Sequence, residues 1–217
     1  MLSIQAFTFN AFSENTYVVS DETLEAVIID PGCYSREEEK ELSAFVESNH
    51  LKIKFILNTH CHIDHVLGNN FVVDKYKAPL LIHKIEEAQL KAVKNYAPVY
   101  GFDGYREAGP VQFIDEKSTI AFGNTLWKIF FLPGHSPGHI GFYNAKEKVV
   151  FSGDVLFANS IGRTDLPGGN FEVLIQSIHQ KLFTLPDEVV VYPGHGQPTT
   201  IGGEKISNPF CALSLLR

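Results

Sequence analysis

Apolar and polar positions alternate weakly over residues 3–9 and 16–20, on either side of the turn-rich Asn10-Ala11-Phe12-Ser13-Glu14-Asn15. That pattern predicts two strands joined by a short connection. A denser apolar run, Glu25-Ala26-Val27-Ile28-Ile29, predicts a more buried strand. It stops at Asp30-Pro31-Gly32, where Pro and Gly break the ladder. Ser35-Arg36-Glu37-Glu38 reads as a capping box opening a helix of about 15 residues. Leu42, Phe45 and Val46 give this helix one apolar face, and its run of Glu reads as a solvated one. Residues 53–57 predict the next strand. After residue 65, Val66, Leu67, Phe71 and Val72 suggest a helix leading the chain away, then a short strand at 79–82 and a helix over 84–95.

From residue 111 the rhythm changes to short strands at 111–114, 118–121, 125–132, 139–143 and 148–152. Residues 171–182 predict a helix capped by Asn170, with Phe171, Leu174, Ile175, Ile178 and Leu182 on one face. His179 lies off that stripe and is expected to be exposed. A last apolar strand, 189–192, precedes a tail, 197–217, that reads as a C-terminal wrap. The irregular stretch 96–110 carries Tyr96, Tyr100, Phe102 and Tyr105. It is either a substrate lid or a loop folding its own rings onto the body, and the second is the simpler reading. Each half runs from a group of strands into a helix and another strand. Two sheets face to face, with helices outside, would bury these strands.

Composition adds bounds. The 217 residues, 44% hydrophobic and 20% charged, suit one globular domain, 1–217, with a sizeable core. The net charge is −7, and Lys and Arg are scattered, so nucleic acid finds no basic stripe. No stretch approaches the roughly 20 apolar residues of a membrane-spanning helix. Met1-Leu2-Ser3-Ile4-Gln5 has no basic region before an apolar run, so no secretory signal is expected. Cys33, Cys61 and Cys211 make an odd count without framework spacing, which fits free thiols and a cytoplasmic location.

Candidate chemistry concentrates in Asn58-Thr59-His60-Cys61-His62-Ile63-Asp64-His65. An extended segment throws i and i+2 to one face, so His60 and His62 can grip one ion together. Asp64 and His65 fall where the chain should turn into a helix, and can point at a second ion. Three more places repeat one logic, a buried strand, a sharp turn and then a donor: Pro133-Gly134-His135, Ser152-Gly153-Asp154 and Pro193-Gly194-His195. Five His and two Asp are too many for one ion and suit two ions sharing a bridge. The natural division puts His60, His62 and His135 on the first ion, Asp64, His65 and His195 on the second, and Asp154 between them. Asp30 is either a turn residue or a carboxylate orienting a metal-bound imidazole. His139 is expected to serve a structural or supporting role, and His50, His83 and His179 to stay outside the site. Cys61, facing away between two ligands, should be packed. The donor set favours zinc and also accepts iron or manganese.

Thr59-His60-Cys61-His62-Ile63-Asp64-His65, with His135, Asp154 and His195 in their turns and Asp30-Pro31-Gly32, resembles the metallo-β-lactamase superfamily, over nearly the whole chain and in the right order. The resemblance implies an α/β fold, a four-layer αββα sandwich of two mixed sheets with helices outside. Within it, Phe151-Ser152-Gly153-Asp154-Val155-Leu156-Phe157 and Gly162-Arg163-Thr164-Asp165 look most like the short type II glyoxalases, or hydroxyacylglutathione hydrolase-like proteins. The longer glyoxalases place a lysine where Arg163 stands and a tyrosine where Gln197 stands, and carry a C-terminal helical extension that holds glutathione. Positions 163 and 197 differ from that pattern, and no glutathione-binding C-terminal helical domain is expected. Arg163 either binds a substrate carboxylate or forms a loop salt bridge.

The expected activity is therefore hydrolysis of a small-molecule thioester, with S-lactoylglutathione the candidate the resemblance offers. Hydroxide shared by the two ions would attack, with Asp64 orienting it. The alternative is a persulfide dioxygenase-like oxidoreductase, which the His-Cys-His and Gly-Arg-Thr-Asp stretches also resemble, using one iron on His60, His135 and Asp154. Lactone and other ester hydrolysis rank lower, and a metal-bearing scaffold without activity lower still.

Overall fold

Strands that are apolar in succession need cover on both faces, and they occupy sheet interiors in this protein. The computed structural model describes residues 1–216 and, of Leu216, the backbone alone. The chain forms two compact units: residues 1–114 with 121–126, and residues 115–120 with 127 onward.

In the first unit, β1 (Ser3–Phe9), β2 (Glu14–Ser20) and β3 (Glu25–Ile29) pair antiparallel. From β3 the sheet continues in parallel through β4 (Lys52–Leu57), β5 (Leu80–His83) and β6 (Val111–Ile114). Parallel neighbours need long crossovers, and helices supply them. They are α1 (Arg36–Ser48), α2 (Ile63–Val66) with α3 (Asn69–Tyr76), and α4 (Glu87–Tyr96). The capping box at Ser35 is present: its hydroxyl accepts from Glu38 N, and the Glu38 carboxylate accepts from Ser35 N. Leu42 and Val46 of α1, Val72 of α3 and Leu90 of α4 pack into one cluster with Ile28, Ile56 and Ile82 of the sheet.

The second sheet runs β14 (Thr199–Thr200), β13 (Val190–Pro193), β10 (Val149–Gly153), β9 (Ile140–Asn144), β8 (Thr125–Phe131) and β7 (Thr119–Phe122). β10 and β13 are parallel, joined through α5 (Phe171–Gln180), and β9 runs antiparallel to both β8 and β10. A small hairpin, β11 (Leu156–Phe157) with β12 (Ser160–Ile161), follows β10, and α6 (Ile201–Ser207) follows β14. Leu174, Ile178 and Leu182 pack against Val150 and Val191. Trp127 is fully buried with its ring 5.2 Å from Phe151. Two mixed sheets with helices are the α/β architecture the pattern implies.

The differences from expectation are local. The helix expected after residue 65 is two helices, because Gly68 interrupts it. Its N–H donates to Pro31 O at 2.8 Å, and a Cβ there would strike Cys33 Sγ and Pro31 O. Phe171 is exposed, since it occupies the first turn of α5, ahead of the packed stripe. His179 is half-buried rather than exposed, with Nε2–H donating to Cys211 O at 2.7 Å. No helix among the described residues is long and apolar enough to cross a membrane.

Candidate functional site

β4 delivers the histidine-rich stretch to its own C-terminal end, where the chain leaves the sheet. His62 is extended (φ −67°, ψ 154°) and caps α2, so Asp64 and His65 lie in that helix's first turn. The His60 ring sits 4.7 Å from His62 and 4.2 Å from His65, centroid to centroid. Side chains from distant segments clamp the turn. Asn58 Nδ2 donates to His65 O at 3.0 Å, Asn10 Nδ2 donates to Asp64 O at 3.0 Å, and Glu86 Oε2 accepts from Cys61 N at 2.8 Å.

Asp30 governs two of the imidazoles. It occupies the left-handed region (φ 47°) at the end of β3. Its Oδ1 accepts from Thr59 N at 2.7 Å, and its Oδ2 from Thr59 Oγ1 at 2.7 Å and from His65 Nδ1 at 3.1 Å. The Thr59 hydroxyl has spent its one proton on Asp30, so it accepts from His60 Nδ1–H at 3.1 Å. Both rings are thereby held with Nδ1 protonated and the Nε2 lone pair available. His65 Nε2 lies 3.6 Å from Asp64 Oδ2.

The second unit makes its own half-set. His135 Nδ1 donates to Arg163 O at 2.7 Å, which again leaves Nε2 as the lone-pair nitrogen. His135 Nε2 and His195 Nε2 each lie 3.5 Å from one oxygen, Asp154 Oδ2. His139 is fully buried, and its Nε2 accepts from Asp154 N at 3.1 Å, so it steadies the backbone that carries the carboxylate. Gly134 has φ 132°, and a Cβ on it would collide with the backbone of Leu174 in α5. Gly134→Ala is therefore expected to cost about 2–3 kcal/mol, read as a lower urea midpoint with an unchanged m-value.

These spacings suit a divalent ion. Separations of 3.5–3.6 Å between imidazole nitrogen and carboxylate oxygen are longer than a hydrogen bond. With metal–ligand bonds of about 2.0–2.2 Å, however, the edge of a tetrahedron is roughly 3.3–3.6 Å. The residues thus stand as neighbours on a coordination polyhedron would. A His/Asp cluster of this composition suggests divalent metal binding without selecting zinc over iron.

Several residues escape a reading of the sequence. Glu14 is completely buried, with Oε1 3.9 Å from His65 Nδ1 and Oε2 accepting from Thr16 Oγ1 at 2.9 Å. Burial pushes its carboxyl well up. Glu86 is buried at the start of α4. Glu204 is buried in α6 and accepts from Asn159 N at 3.0 Å, pinning the β11–β12 hairpin. Glu14 opens β2 directly after a turn, Glu86 precedes α4 and Glu204 lies in α6, and among such polar neighbours a lone Glu reads as solvated, so no local signal marks it.

Arg163 sends its guanidinium to Asp165, with bidentate bonds of 2.7 and 2.6 Å, both residues exposed. That pair holds the Asp165 carboxyl down at about 2. The loop salt bridge is thus formed, while the Arg163 carbonyl serves His135. Cys61 is packed, and burial pushes its thiol well up; burial does the same to Cys33, and raises Cys211 to about 12. All three thiols stay protonated at pH 8, so a thiol reagent should label none in the native protein and three after denaturation. Rapid labelling of Cys61 in the folded state would show that its burial is not maintained in solution.

Comparison with known proteins places this geometry. A family model described as the metallo-beta-lactamase superfamily matches residues 10–195. The chain is 37% identical over 215 residues to the hydroxyacylglutathione hydrolase GloC of Haemophilus influenzae, covering 96% of this chain and 98% of that one. The crystal structure of the BLEG-1 B3 metallo-β-lactamase superposes with a TM-score of 0.88 at 36% identity, over 96% of this chain and 99% of that one. TTHA1623, solved in a di-iron-bound form, gives 0.84 at 35% identity, over 95% and 99%.

Proposed function

Because the chain belongs to the metallo-β-lactamase superfamily, we propose that it is a dinuclear metal hydrolase cleaving a small hydroxyacyl thioester, S-lactoylglutathione or a close relative. The observation that carries the dinuclear reading is Asp154, one of whose oxygens stands 3.5 Å from the Nε2 atoms of both His135 and His195. In this reading His60, His62 and His135 hold one ion. Asp64, His65 and His195 hold the other, and Asp154 serves both. The thioester class is supported by full-length similarity to a hydroxyacylglutathione hydrolase.

Bound divalent ions would lower the pKa of a water towards about 7 and polarise the thioester carbonyl. The protein's own groups do the rest. Asp30 and Thr59 keep the lone pairs of His60 and His65 facing inward. The Arg163 carbonyl does so for His135. Asp64 would orient the attacking water by accepting a hydrogen bond from its O–H. The departing thiolate, whose conjugate thiol has a pKa of about 8.5, is a good leaving group and needs little protonation as it leaves. A thiol-side carboxylate would have to draw Arg163 away from Asp165.

Metal content measured together with turnover of a panel tests the proposal. Two ions per chain with S-lactoylglutathione hydrolysis is the expected result. One iron per chain with oxygen uptake would transfer the chain to the persulfide dioxygenase-like reading. Turnover of a β-lactam without any thioester would remove the thioester class.

A further inference from the structure

The stretch Tyr96–Phe102 (YAPVYGF) and the β1–β2 turn, Asn10–Ser13 (NAFS), contain no charged residue. Both lie in the first unit, and the β1–β2 turn connects to the ligand turn. Asn10 is the link for the β1–β2 turn: its Nδ2 donates to Asp64 O at 3.0 Å, and its Oδ1 accepts from Phe12 N at 2.9 Å. Phe12 is therefore tied through one side chain to the backbone of a proposed metal ligand. The longer stretch meets the β1–β2 turn through its rings, Tyr100 lying edge-on to Phe12.

The longer stretch does two different things. Phe102 packs inward, 5% exposed and edge-on to Tyr34 at 4.8 Å. Gly104 N donates to Tyr34 Oη at 2.9 Å and fixes the loop behind it. The 3₁₀ turn Ala97–Tyr100 instead leaves Val99 83% and Tyr100 55% exposed. Phe12, 40% exposed, meets Tyr100 edge-on at 5.9 Å, and Tyr100 meets Tyr96 at 6.1 Å. A loop that merely folded its rings onto the body would not leave Val99 and Tyr100 this exposed beside an exposed ring, Phe12, from another turn.

We propose that Phe12, Tyr96, Val99 and Tyr100 form a substrate rim that receives an apolar acyl group, aliphatic or aromatic, of the thioester. The inference rests on the hydrolase reading and deepens it. The rim has no cation with which to hold a carboxylate or phosphate, so it suits the acyl side of the substrate and not an anionic thiol carrier. Its rings are preorganised by contacts among themselves, which keeps the ordering cost of binding low.

The test uses two thioesters sharing one uncharged thiol, S-acetyl- and S-hexanoyl-N-acetylcysteamine, with the metal-loaded enzyme. Wild type should show a KM roughly 10-fold lower for the hexanoyl ester, as expected for partial burial of four methylenes. The double variant Phe12→Ala/Tyr100→Ala, altered only at exposed rings, should lose that preference and keep its metal content. An unchanged chain-length preference in the variant, or none in wild type, overturns the rim. Binding of hexanoate against acetate, followed on the ring resonances of Tyr100, gives a readout independent of turnover. If no thioester is hydrolysed, the hydrolase reading fails by itself. Shifts induced by hexanoate alone would still support the rim, and their absence would overturn it.

Discussion

An Asp154→Ala protein is expected to lose metal and at least about 10³-fold in thioester turnover while remaining folded. One oxygen decides this. Asp154 Oδ2 stands at the same 3.5 Å from His135 Nε2 and from His195 Nε2, a separation suited to a shared coordination sphere. Removing the carboxylate takes away the anion that offsets two cations in a nearly buried place, so neither ion is held well. Folding should be little affected, because the Asp154 backbone N–H bonds to His139 Nε2, and that contact survives truncation. Metal analysis of the purified variant, beside a circular dichroism melt, separates the two effects. Two ions per chain and near-normal turnover would end the bridging role of Asp154. Asp154→Asn sharpens the test, since it keeps shape and removes charge. It should retain one ion at most.

Asp30→Ala should act differently, destabilising the protein before any metal is added. The carboxylate takes Thr59 N–H, Thr59 Oγ1–H and His65 Nδ1–H, all buried. Truncation leaves these donors without it, and buried donors that lose a charged acceptor cost about 1–3 kcal/mol each. With partial relaxation the total is roughly 3–5 kcal/mol. That is a large share of the about 5–15 kcal/mol that holds a typical domain together. The melting temperature of the metal-free protein should fall by about 10 °C. Metal affinity should fall a further 10- to 100-fold, roughly, because His65 loses the partner that sets its tautomer and Thr59, which sets that of His60, loses the acceptor that orients its hydroxyl. Asn at position 30 keeps one acceptor oxygen and should lie between the two. A metal-free Asp30→Ala protein that melts with wild type would show that Thr59 and His65 find other acceptors.

Asp30 also marks where local reading stops. In the sequence it is a residue before Pro31-Gly32, equally fit for a turn or for orienting an imidazole. Its second role depends on Thr59 and His65, 29 and 35 positions away. The parallel pairing of β3 with β4 sets the end of one strand beside the end of the other, with Asp30 N donating to Leu57 O at 2.8 Å. Glu14 and Glu86 show the same limit from the other side. Each is a polar residue in a polar stretch, and only the packing of distant segments makes it buried. Arg163 is a third case: the sequence leaves it between a substrate contact and a loop salt bridge, and only the structure shows the bidentate bond to Asp165.

What the chain alone determined are properties that repeat along a segment or sit within one turn. Apolar runs defined the strands of both sheets, the capping box defined α1, and strand–turn–donor units defined His135, Asp154 and His195 as candidate ligands beside residues 60–65. These features depend on covalent spacing and on the two or three residues next to each, so they survive without any knowledge of partners. Tertiary structure alone decided the tautomer-setting bonds of Asp30 and Thr59, the burial of Glu14, Glu86 and Glu204, the break at Gly68, and the split of the aromatic loop into an anchor and an exposed rim. Each depends on a contact between residues far apart in sequence. Hydrophobic periodicity reports which face of a segment is apolar, and carries no information about which polar group the fold will bring against it.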